Sequence, residues 1–105
     1  MIVHVMMTAF QDGRLRPVNV PNHELVNRTT EEVLERVYHW GQNDFQPVKE
    51  CCSVSMGDVA MLQGRFWIVR ACGWAEISPA DLEKYLKIDQ RDRTWSEYVR
   101  PKDTD

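Results

Sequence analysis

Residues 53–77 read SVSMGDVAMLQGRFWIVRACGWAEI and hold the strand and turn signals from which a sheet follows. Phe66, Trp67, Ile68 and Val69 are aromatic or β-branched without a polar break, which suits a strand covered on both faces. Residues 59–62 (VAML) precede them, and the pair Gln63-Gly64 separates the two runs, the spacing of a two-residue hairpin over 59–72. Upstream, Cys52, Val54 and Met56 alternate with Ser53 and Ser55, so a strand is predicted to begin there and to break at Gly57-Asp58. The serines, the Gly57 bend and a turn capped by Asp58 would orient the hairpin. Downstream, the step Gly73-Trp74 is expected to turn the chain out of the sheet, with the indole closing one end of the core.

Helices flank this unit. Residues 78–81 (SPAD) place a serine cap before a proline at the first helical position, and Leu82, Tyr85 and Leu86 form the apolar stripe of a helix over 79–87. Residues 29–32 (TTEE) have the form of a capping box: a threonine hydroxyl to cap and a glutamate three residues on to reach back. Val33, Leu34, Val37, Tyr38 and Trp40 then recur at helical spacing, and Gly41 stops a helix over 30–40. Residues 42–47 (QNDFQP) are a loop with Phe45 turned inward. Residues 1–10 (MIVHVMMTAF) read as a first strand with Val3, Val5, Met7 and Ala9 on one face. Its other face is also largely apolar, as for a strand covered on both sides. Residues 14–27 contain Pro17 and Pro21 and read as irregular.

From Asp89 the composition turns to Asp, Arg, Gln and Lys, which divides the chain into a compact domain over 1–88 and a charged tail over 89–105. Within the tail, Thr94-Trp95-Ser96-Glu97 repeats the capping-box form. Trp95, Tyr98 and Val99 fall at i, i+3 and i+4, so an amphipathic turn stopped by Pro101 is expected. The fold class is therefore α+β: a small, mainly antiparallel sheet of three or four strands packed with two helices, plus the tail.

Composition bounds the function. A chain of 105 residues, 43% hydrophobic, supports one core and excludes wholesale disorder. A formal net charge of −3 argues against a nucleic-acid coat or a polybasic membrane binder. No apolar run approaches a membrane span, and residues 1–10 lack a basic start and a cleavage site, so a cytoplasmic protein is expected. Three cysteines, two of them adjacent, do not make a disulfide scaffold.

The candidate chemistry is sparse. Cys51, Cys52 and Cys72 with His4 or His39 lack the two-to-four-residue ligand spacing of zinc sites, and no metal or cofactor is assigned. A cysteine nucleophile paired with His4, His23 or His39 has no glycine-rich oxyanion loop beside it, so no catalytic residue is assigned. Glu31, Glu32 and Glu35 read as a solvated helix face favoured by the helix dipole. Arg14, Arg16, Arg65 and Arg70 with a stacking Trp67 or Trp74 are the candidates for nucleic-acid contact, against the sign of the net charge. The partner-binding candidates are Trp95, Tyr98 and Val99 in the tail, the loop pair Asn43 and Asp44, and Trp74. For the tail residues, docking in a foreign groove, packing on this domain's own sheet and packing in a homodimer all stay open.

A helix over 34–40, the run Gln42-Asn43-Asp44-Phe45, the run Ser53-Val54-Ser55-Met56-Gly57-Asp58-Val59, the run Phe66-Trp67-Ile68-Val69 and the run Gly73-Trp74-Ala75-Glu76-Ile77 occur in that order. Over 34–77 this resembles the YodL-like small domains of bacterial mobile elements, found alone or within large phage and plasmid polyproteins. Two departures are the insertion of Met56-Gly57 before Asp58 and Trp74 where the family pattern has phenylalanine. The resemblance implies a context rather than an activity: an accessory protein of a phage or plasmid, acting against host defence. The leading expectation is a non-enzymatic protein-interaction module whose partner is a host or element-encoded protein. The alternatives are a nucleic-acid accessory factor and a small Cys/His enzyme or metal protein.

Overall fold

The structure is a computed structural model and describes residues 1–9, 14–42 and 53–100. Five strands, β1 (Ile2–Met7), β2 (Arg14–Asn19), β3 (Val59–Leu62), β4 (Arg65–Val69) and β5 (Trp74–Ile77), form one sheet in the order β2-β1-β3-β4-β5. Every neighbouring pair is antiparallel. Among the described residues two helices, α1 (Thr30–Trp40) and α2 (Pro79–Leu86), complete an α+β domain, with 3-10 turns at Asn22–Glu24 and Gln90–Trp95. Among the described residues no helix is long and apolar enough to cross a membrane.

Strand alternation makes two cores from one sheet. Val3, Val5, Met7, Val18, Ala60, Leu62 and Val69 face α1 and pack with Val33, Leu34 and Val37. Val59, Ile68 and Ile77 point the other way and pack with Leu82 and Tyr85 of α2. Strand β4 is apolar on both faces because it serves both cores: Trp67 and Val69 on one side, Phe66 and Ile68 on the other. Gln63 and Gly64 both take positive φ, at 57° and 72°, the conformation of the tight turn that matches strand twist between β3 and β4.

The helix signals act as written in the sequence. The Thr29 hydroxyl accepts from the Glu32 amide, and the Glu32 side chain reaches back to the Thr29 amide. Ser78 accepts from the Asp81 amide ahead of Pro79.

The sheet has five strands rather than three or four, and three local expectations are corrected. Residues 14–19 are a strand despite Pro17, because β2 lies at the sheet edge, where a missing N–H breaks no internal ladder. Residues 53–55 are not a strand. The Ser55 amide donates to the Asp58 carboxylate at 2.9 Å and the Asp58 amide donates to the Ser55 carbonyl at 3.0 Å, a turn that competes with pairing. Gly73, at φ 80°, does not turn the chain out of the sheet but returns it as the edge strand β5.

In the C-terminal segment the helical turn begins at Asp89, whose side chain accepts from the Arg91 amide, and it ends on Trp95. A short turn does follow over 97–99, closed by the Val99 and Arg100 amides donating to the Ser96 carbonyl at 3.2 and 2.8 Å. Trp95, however, belongs to the preceding helical turn and does not share a face with Val99. Val99 is fully buried in the second core, and its carbonyl accepts from the Ala71 amide at 3.0 Å. Residues 89–100 thus lie against the sheet's second face.

Candidate functional site

Buried polar groups draw attention first. Asp58 is fully buried and accepts from the amides of Ser55 and Ala9, at 2.9 and 3.2 Å. Burial raises its carboxyl from 3.8 to about 6, against the lowering effect of those amides and of the Arg16 charge. The neighbouring Gly57 carbonyl accepts two hydroxyls, those of Thr8 and Tyr85. Burial also raises the Tyr85 phenol above its ordinary value. Arg93 spreads its guanidinium over the carbonyls of Thr8, Leu86 and Ile88, at 2.6, 2.8 and 3.1 Å, capping the end of α2 and tying it to the end of β1. These side chains are committed to backbone partners and hold the two layers together.

The surface carries two other arrangements. A groove of about 420 Å³ opens between the second half of α1 and the end of β4 with its following turn. Glu35 and Tyr38 form one wall, Val69, Arg70, Ala71, Gly73 and Trp74 the other, with Met56 between them. Its volume falls in the range of roughly 300–1,000 Å³ typical of small-ligand sites. Glu35 and Arg70 face the same space, and neither makes an ion pair with a described residue. Trp74 is half-buried, and its indole N–H has no acceptor among the described residues, unlike that of Trp67, which donates to the Leu62 carbonyl at 3.2 Å.

The second arrangement is built on Trp95, which is 71% exposed. The Arg100 guanidinium lies 4.4 Å from the indole centroid, and Arg100 is itself held by donating to the Thr94 carbonyl at 2.8 Å. The adjacent Ser96 amide and hydroxyl both donate to the Arg93 carbonyl. The indole therefore stands on an ordered platform, beside a surface hollow lined by Ala9, Asp89, Gln90, Arg91 and Thr94.

The candidates from the sequence separate accordingly. Trp95 and Trp74 are surface-accessible, on different arrangements. Tyr98 is half-buried with its ring edge-on to Tyr85, at 5.9 Å between centroids. Val99 is corrected: it is a core residue and presents nothing to a partner. Asn43 and Asp44, with Phe45, Cys51 and Cys52, lie outside the described residues. The arginines are not all brought together. Arg16 is 3% exposed and donates to the Gly41 carbonyl at 2.7 Å. Arg14 pairs opposite Met7 and Arg65 opposite Leu62, at opposite ends of the sheet. Arg65 is further engaged with Glu76 at 3.4 Å. Cys72 is exposed in the turn after β4, and among the described residues no three of His, Cys, Asp and Glu converge on a common point.

Glu35, Tyr38 and Met56 were not singled out for the groove by sequence reasoning. The sequence counts Tyr38 with the apolar stripe of α1, but at 41% exposed it lies beside the buried Val33, Leu34 and Val37. Compared with protein-family models, with curated proteins and with solved structures, the chain matches none. Among the described residues, fold and surface together define a small two-core α+β domain that presents the exposed Trp95 indole and the groove beside Trp74.

Proposed function

We propose that this chain is a non-enzymatic protein-interaction module that docks on its partner through Trp95. The observation that carries this reading is the exposed indole fixed by Arg100. A tryptophan already held in one orientation loses little conformational freedom on binding, and tryptophans dominate the energetics of many interfaces. The reading is supported further by the buried polar side chains, which serve the fold's own backbone. The resemblance over 34–77 supports the context: a cytoplasmic protein of a bacterial phage or plasmid whose partner is a host protein, bound so as to mask a surface used in defence. Capture from bacterial host lysate on immobilised protein tests it. The wild type is expected to retain one protein stoichiometrically and Trp95→Ala to lose it. Absence of any stoichiometric partner, or equal retention by both proteins, contradicts the proposal.

A further inference from the structure

We infer that the groove between α1 and the β4–β5 turn is a second binding site, which takes a linear peptide segment carrying an apolar side chain between a basic and an acidic one. The inference rests on the interaction-module reading and names a chemistry for the partner. Three features converge. Tyr38, Met56 and Trp74 give the groove an apolar floor and walls. Glu35 and Arg70 line it from opposite walls as a carboxylate and a guanidinium not neutralised by each other or by a described neighbour. On its far side Arg70 also borders a small cavity with Glu76, Asp81 and Glu97; Glu76 is engaged by Arg65, and none of the three lies within ion-pair distance of Arg70. The Trp74 indole N–H lacks an acceptor in the described chain, which leaves a donor for a ligand carbonyl.

An occupant must therefore bring a cation, an anion, an apolar body and a carbonyl. A free amino acid has the charges, but small-ligand sites bury most of their ligand, and this groove is open. Glu35, Tyr38, Ala71 and Gly73 along its rim are all exposed. An open trough lets a chain run in and out, and a peptide backbone supplies the carbonyl. The occupant is thus a peptide segment with Lys or Arg toward Glu35, Asp or Glu toward Arg70 and an apolar side chain on Trp74.

The test is titration of the ¹⁵N-labelled protein with acetyl-Lys-Leu-Asp-amide and its reverse, acetyl-Asp-Leu-Lys-amide, at millimolar concentration. The indole N–H resonances of Trp74 and Trp95 are followed. At least one of the two peptides is expected to shift Trp74 and leave Trp95 in place. Acetyl-Gln-Leu-Asn-amide should bind more weakly, by about two- to five-fold for each charge removed. Glu35→Gln should abolish the preference for Lys over Gln, and Arg70→Gln the preference for Asp over Asn. Both substitutions leave the buried cores untouched. No movement of Trp74 with either peptide, or equal binding of the neutral peptide, overturns the inference. If Trp74 fails to respond while lysate capture still depends on Trp95, the groove assignment falls and the module reading stands. If Trp74 responds but no stoichiometric partner is captured, the groove assignment stands and the module reading falls.

Discussion

The hydroxyl of Tyr85 donates to the carbonyl oxygen of Gly57 at 2.5 Å, joining α2 to the turn before β3 across 28 positions of sequence. Thr8, at the end of β1, donates to the same oxygen. One carbonyl thus ties together the strand layer and the second helix, and Tyr85 is fully buried while doing so. Tyr85→Phe should lower unfolding stability by about 1 kcal/mol, or roughly 4–8 °C in Tm, because Thr8 still satisfies the carbonyl. Adding Thr8→Val should cost more than the sum of the two single changes, since the oxygen is then buried without a donor. Denaturant melts of the four proteins measure this coupling.

Asp58 predicts a pH dependence with a definite sign. Its carboxyl is raised from 3.8 to about 6 in the folded chain, so the folded state holds the proton more tightly than the unfolded state does. The stability from this group is fully present below 3.8 and is lost as pH rises through about 6, on the order of 2–3 kcal/mol. Asp58→Asn should remove that slope over the same interval. The check is unfolding free energy measured every half pH unit for both proteins, with the difference between the curves assigned to Asp58.

Arg16 tests whether a buried cation serves the fold or a ligand. It donates to the carbonyl of Gly41, the residue that ends α1, where positive charge also favours the helix dipole. Arg16→Gln should cost about 1.5–3 kcal/mol, as expected for a buried charge-assisted hydrogen bond. On a DNA column at low salt, wild type and variant should both elute unretained, because Arg16 is buried and Arg14 and Arg65 lie at opposite ends of the sheet.

How much of this was legible in the sequence depends on where each signal lies. The helix over 30–40 carries its own cap at Thr29 and Glu32 and its own stripe at Val33, Leu34 and Val37, so local residues suffice. The β3–β4 hairpin carries its turn in Gln63-Gly64. Strand β2 was hidden because Pro17 looks like a breaker until its edge position is known. The spacing of Trp95, Tyr98 and Val99 suggested one amphipathic face. The helical turn capped at Asp89 instead ends on Trp95, with Ser96 as its C-terminal cap, leaving the indole outward and Val99 in the core. The groove was out of reach because its walls, at 35–38 and 69–74, meet only through the sheet. The Arg93 clamp likewise joins residues 85 positions apart.

Trp95 is, on the proposed function, the anchor for a protein partner. The most direct measurement is the affinity of the captured partner for wild type and for Trp95→Ala, with thermal melts of both proteins alongside. Because Trp95 is 71% exposed, the variant should melt within a few degrees of the wild type. Binding should weaken by roughly 30-fold or more, the loss expected for an interfacial hot spot. Affinity unchanged within about three-fold, in a variant that folds normally, would contradict the account.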